Sequence, residues 1–334
     1  MEQKMIYSSA LVKLAAVVII LAGLMAAKSI VIPVLLAVFI TILISPLLIW
    51  LQDKGLHGGF ALLGVVALLV VLMTLLGMLI SSSLHAFSLN LPIYEDKFRG
   101  LLSNFVSYMN NKGFVFSSAS ISEFINPSKM ALFASGIVKG FGSVLTSGFM
   151  ILLLVTFMLL EVSAFPKKLQ AIHADASSHA DEFLHNVKQY MLIKSVFSFA
   201  TGGLVYLALL ILGLDYALLW GVLAFMLNFI PNIGSIIAAV PATLLALVQL
   251  GFIGAVEVAV IFIVVNVVIG SILEPKYMGH GLGLSTLVVF LSLLFWGWAF
   301  GPVGMLLSIP LTIMLKLALQ TNDQTKWIAV LLGS

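Results

Sequence analysis

The chain has 334 residues, 62% of them hydrophobic and only 9% charged, with a mean hydropathy of +1.20. Soluble domains carry about 25% charged residues, and a water-soluble chain of this length has no core large enough to hide so much apolar surface, so the solvent is lipid. The formal net charge of +3 is spread along hydrophilic connections rather than clustered, which excludes a nucleic-acid footprint, and the absence of cysteine excludes disulfides, thiolate metal sites and cysteine nucleophiles.

Crossing a hydrocarbon core of about 30 Å takes about 20 apolar residues as helix. Runs of that kind lie at 10–27, 30–51, 60–83, 144–161, 195–214, 216–230, 235–250, 253–273 and 284–319. The first has no small-x-small site after it and a second run begins at once, so it is read as an uncleaved span rather than a signal peptide. Several runs are short and the last is long enough to fold back at Gly301-Pro302, so the fold class expected is an all-α polytopic membrane protein of about eight transmembrane helices. Lysines such as Lys54, Lys167, Lys168, Lys188, Lys194 and Lys276 fall on one side of this arrangement, which places both termini in the cytoplasm.

Two stretches are not spans. In 84–140, Phe98, Leu101, Leu102, Phe105 and Tyr108 recur at helical spacing and Asn126-Pro127 reads as a helix start, giving a small helical extramembrane insert. In 163–194, Phe165, Leu169, Ile172, Phe183, Val187 and Tyr190 line one helical face with charges opposite, which predicts a helix on the cytoplasmic surface. The alternative is a plain solvated linker. The domains expected are therefore 1–83 (N-terminal transmembrane helices), 84–140 (insert), 141–162 (a further span), 163–194 (surface helix), 195–319 (transmembrane core with broken hairpins) and 320–334 (cytoplasmic tail).

Enzyme signatures are missing: there is no phosphate loop, and His173, His179 and His185 stand six apart, off any single helical face, so neither cofactor nor metal is expected. Gly279, Gly281 and Gly283 form G-x-G-x-G without a preceding strand and read as a turn. An internal echo carries more. Pro231-Asn-Ile-Gly234 is followed by Pro241, and Pro302-Val-Gly304 is followed by Pro310, each pair after a tryptophan-bearing apolar segment. Paired segments interrupted by Gly and Pro point to a transport site, because broken helices free backbone dipoles for a solute; two ordinary hairpins with similar turns would look alike.

Polar groups within the apolar runs are the candidate pathway. Asn228, Asn232, Gly234 and Ser235 surround the break at Pro231, and Asn266 sits deep in the 253–273 run. A buried amide without partners costs several kcal/mol in lipid, on the order of a lost hydrogen bond or more, so each faces protein or water. The chemistry suits a small, neutral, hydroxyl-rich solute; the competing role is glue between helices. Glu257 is expected either near the interface after the Gly251–Gly254 turn or in the pathway as a proton or cation carrier. Glu274, before Pro275 and near Lys276, is expected either to anchor a helix end or to gate. Asp215 is read as capping a hairpin in water. Pro241, Pro275, Gly301, Pro302, Gly304 and Pro310 are the expected hinge or helix-breaking positions.

The segments Leu227-Asn-Phe-Ile-Pro-Asn-Ile-Gly-Ser235, Ile272-Leu-Glu-Pro-Lys-Tyr-Met-Gly279, the run from Gly281 to Gly297, the run from Gly301 to Thr312 and, more loosely, Phe157-Met-Leu-Leu-Glu161 resemble the autoinducer-2 exporter family. The resemblance implies export of a quorum-sensing furanone or a similar metabolite from the bacterial cytoplasm, about eight spans per subunit, and a homo-oligomer, with a pentamer suggested. It also admits a sodium(lithium)/proton antiporter as the alternative, with protons or sodium as partners. A membrane scaffold binding partners through its insert is the non-transport reading.

Overall fold

The computed structural model describes residues 12, 15, 16, 18–112, 147–162, 174–231, 233–278, 284–320 and 325–333. The described residues contain helices and turns but no strand. The helices are α1 (Lys28–Asp53), α2 (Gly58–Asn111), α3 (Gly148–Val162), α4 (Ala174–Ile211), α5 (Ala217–Leu227), α6 (Gly234–Val265), a π-helical segment (Asn266–Leu273), α7 (Glu274–Met278), α8 (Thr286–Gln320) and α9 (Lys326–Leu331). Among the described residues five helices are long and apolar enough to cross a membrane, and α3 and α5 are shorter apolar helices. Among the described residues, five long candidates thus stand against the eight or so crossings expected.

Three local findings explain the difference. Residues 18–26 are helical and end on the bond from Ala27 N–H to Gly23 O; Ala27 (φ −89°, ψ 11°) then caps α1, whose first bonds run from Ile30 and Val31 N–H to Ala27 O. A single turn residue thus separates the two helical stretches where the sequence suggests a loop between two spans. Next, α2 is one helix of 54 residues, on the order of 80 Å long, so the 60–83 span continues without a break into the first half of the insert. Along that extension Tyr94, Phe98 and Val106 are buried, while Phe105 and Tyr108 from the expected apolar face are exposed. The Asn126-Pro127 helix start lies outside the described residues. Finally, two long helices are interrupted by glycines whose backbone is open mainly to glycine: Gly251 (φ 82°, ψ −171°) in α6 and Gly301 (φ 66°, ψ −148°) in α8.

The chain forms two compact units. The first comprises residues Met1–Val66, Met150–Lys188 and Gly283–Ser334. In it α8 folds back at Gly301: Trp296 Nε1 donates to Thr312 Oγ1 at 3.0 Å, although sixteen residues of straight helix would separate them by about 24 Å. Thr41 on α1 meets Met158 on α3, and the Ser285 N–H donates to Leu332 O beside α9. The second unit comprises Ala67–Phe149 and Gln189–Leu282. Its core joins Ile80, Tyr94 and Phe98 of α2 to Val205 and Leu209 of α4, Trp220 and Leu223 of α5, and Ala242, Leu245, Val258 and Phe262 of α6.

Candidate functional site: a polar seam beside a re-entrant hairpin

In the second unit α5 and the first part of α6 form a hairpin. Its two feet stand together: the Asp215 N–H donates to Gln249 Oε1 at 2.9 Å, and Gln249 Nε2 donates to Gly213 O at 3.0 Å. The arm α5 has 11 residues, about 16 Å, which is about half of a 30 Å hydrocarbon core. Apolar composition makes both arms helical, and Pro231, which has no N–H to continue the ladder, together with Gly234 makes the reversal. A Cβ at Gly234 would collide with the Leu227 carbonyl, so the two arms close on each other only with glycine there.

The α8 tip in the first unit is built the same way. A Cβ at Gly304 would collide with the Trp296 carbonyl and press on Phe300, as one at Gly234 meets Leu227 and Ile230. The two Gly/Pro echoes in the sequence thus correspond to two tips of the same local construction. Pro241 lies inside α6 and Pro310 is buried inside α8, each one to two turns beyond its tip, while Pro302 is exposed at the start of the returning arm.

Helix α4 packs antiparallel to α5 at close range. A Cβ at Gly202 would lie 2.6 Å from both the Gly221 O and Phe225 Cβ, and one at Gly221 would lie 2.6 Å from Tyr206 Cβ. The buried residues of α4 include Tyr190, Met191, Lys194, Ser198, Thr201 and Val205, and from Met191 onward they follow in steps of three and four along one face. Four of the residues on or beside it, Lys194, Ser195, Ser198 and Thr201, are polar. Asn228 Nδ2 donates to Ser198 Oγ at 3.0 Å, and both side chains are buried. Along that antiparallel register, Ser195 and Lys194 lie about one helical turn beyond Ser198, on the tip side of the Asn228 contact. Ser195 Oγ and Thr201 Oγ1 are buried and have no hydrogen-bond partner among the described residues. Each such hydroxyl costs about 1–3 kcal/mol if it stays unsatisfied, so the seam is polar beyond the needs of packing.

The seam ends in an ion pair. Lys194 Nζ lies 2.6 Å from Glu274 Oε1, with side-chain exposures of 5% and 11%. Glu274 directly follows the π-helical segment, and its N–H reaches back to Ile269 O, an i→i−5 bond. The nearby Lys276 is not the partner it takes.

The remaining candidates separate. Ser235 is buried at the start of α6 and Gly234 lies in the tip, while Asn232 lies outside the described residues. Glu257 is exposed about a turn and a half after the Gly251 bend, Asn266 is half-buried at the first π-helical position, and Pro275 is exposed. Asn228 is committed to Ser198, which is the glue role as far as its amide nitrogen goes. Lys194, Ser195, Ser198 and Thr201 escape a reading of the sequence. Lys194 looks like the end of an amphipathic surface helix, yet α4 crosses 194 without interruption and the span begins at Val187. The signal that could find them is the Lys194, Ser198, Thr201 spacing. At the opposite end, Asp215 does more than cap: Tyr94 OH donates to its Oδ2 at 2.8 Å, Trp220 Nε1 donates to its carbonyl at 3.1 Å, and Asn90 Nδ2 donates to Tyr216 OH at 2.9 Å. No group of three or more metal-ligating side chains occurs among the described residues.

The profile described as the AI-2E family transporter matches residues 14–323. A Haemophilus influenzae protein is 41% identical over 337 residues, covering 97% of this chain and 95% of its own length. The AI-2 transport protein TqsA of Escherichia coli K12 is 38% identical over 325 residues, covering 96% and 94%. The YhhT protein of the same organism is 37% identical over 326 residues, covering 97% and 93%.

Proposed function

Because this chain belongs to the AI-2E family of transporters, we propose that it exports a small, neutral, hydroxyl-rich solute of the autoinducer-2 type across the bacterial inner membrane. Transport is secondary or facilitated, and the solute passes along the α4 seam beside the Pro231 tip. One observation carries this reading: two buried hydroxyls, Ser195 Oγ and Thr201 Oγ1, lack partners among the described residues, on the helix that packs against the α5 arm of the hairpin. A solute with several hydroxyls satisfies them and replaces the water it gives up.

Both termini lie in the cytoplasm on this reading, in accord with the lysine distribution. The subunit works in a homo-oligomer, a pentamer by family resemblance. Glu257, exposed near a bend, supplies no buried proton carrier for the antiporter alternative.

The experiment is uptake of labelled autoinducer-2 into proteoliposomes with sodium and proton gradients imposed separately. Saturable flux that ignores both gradients supports facilitated export. Sodium- or lithium-driven proton movement with no solute flux supports the antiporter, and no flux of any kind supports the scaffold.

A further inference from the structure

We propose that the Lys194–Glu274 ion pair is a gate that closes the seam on the side away from Asp215, with the π-helical segment Asn266–Leu273 as its hinge. The proposal rests on the transport reading for what passes the gate, but not for the gate's own motion.

The antiparallel register set by Ser198 against Asn228, and by Gly202 against Phe225, places Lys194 about one helical turn beyond Ser198, on the tip side of the Asn228 contact. A solute lying against Ser195 and Thr201 from the Asp215 side meets the ion pair next. Stability does not account for the pair. Buried ion pairs are commonly no better than well-packed apolar residues, and a registry or switch role is their best-attested use. Here the pair joins residues 80 apart in a chain that has no Lys or Arg between them.

The hinge is independent of that placement. Glu274 is the first α-helical residue after eight π-helical ones. π-helical turns cluster at functional sites because they carry an extra residue that a shift of the ladder can release. Releasing one residue turns everything after it by about 100°, one residue's share of an α-helical turn. That rotation carries the Glu274 carboxylate off Lys194. Pro275, with no N–H of its own, takes no ladder bond that the shift must break.

The chain has no native cysteine, so Ser195→Cys is a single reporter of water access. In proteoliposomes a membrane-impermeant thiol reagent is applied from each face in turn, without solute. From the Lys194 side the reporter alone reacts slowly. Glu274→Gln or Lys194→Met raises that rate about tenfold. The swap Lys194→Glu with Glu274→Lys returns it toward the starting rate. Single variants risk misfolding around an orphaned charge, so Lys194→Met with Glu274→Leu, which keeps an apolar contact, is measured beside them with its unfolding temperature. A folded double variant with a high rate supports the gate. Unchanged rates throughout, or a slow rate restored by the apolar pair, overturn it. Labelling as expected without any solute flux would remove the transported solute and leave the gate standing; flux with unresponsive labelling would do the reverse.

Discussion

The Asp215 backbone N–H donates to Gln249 Oε1 at 2.9 Å, and with it the two feet of the α5–α6 hairpin are tied together. The shorter arm, α5, has 11 residues and reaches only about 16 Å, about half of a 30 Å hydrocarbon core, which is the ground for placing the tip within the membrane. Everything proposed about the seam follows from where the tip then lies.

Tyr94 helps to hold those feet. Tyr94→Phe removes the 2.8 Å bond to Asp215 and keeps the ring in the core. The cost expected is about 0.5–1.5 kcal/mol, or somewhat more because the acceptor is a carboxylate. Unfolding temperature measured in detergent should fall by a few degrees while solute flux in proteoliposomes stays within about twofold, since Tyr94 is remote from the tip along α5.

The tip glycine behaves differently. Gly234→Ala sets a methyl against the Leu227 carbonyl, which is backbone and cannot swing away. The tip must open, and flux should fall more than about tenfold even where the protein still assembles. Gly251→Ala is the control. Its Cβ meets nothing within 4 Å, so only the backbone (φ 82°, ψ −171°), a conformation all but reserved for glycine, is strained, at about 1–3 kcal/mol. It should lower the unfolding temperature more than the flux.

Asn228 and Ser198 should act as a unit. Asn228→Leu leaves the Ser198 hydroxyl buried without its donor, and the loss expected is about 1–3 kcal/mol. Adding Ser198→Ala should recover part of it. A double-mutant cycle on unfolding free energy should give a coupling of about 0.5–1.5 kcal/mol; additive losses would mean that the two side chains do not interact.

Much of this architecture is legible in the amino-acid sequence. The membrane class follows from 9% charge, and the tips at Pro231 and Gly301 are marked by glycine and proline, whose backbone limits act locally. The turn near Gly251 is visible for the same reason. What stays hidden depends on distant partners. Lys194 looks interfacial, because its partner Glu274 is 80 residues away. Asp215 looks like a simple turn residue, since its links to Tyr94 and Gln249 exist only once three segments have packed. The π-helical segment has no composition of its own that separates it from the apolar helix around it.

The most direct test is Thr201→Val, a change that keeps shape and removes one hydroxyl. If Thr201 only fills space, losing a buried, unpartnered hydroxyl leaves stability unchanged or raises it by about 1–3 kcal/mol and leaves transport alone. If the hydroxyl meets the solute, unfolding temperature holds or rises while labelled autoinducer-2 flux in proteoliposomes drops at least about tenfold. A folded Thr201→Val protein that transports at the parent rate would contradict the seam as the solute's path.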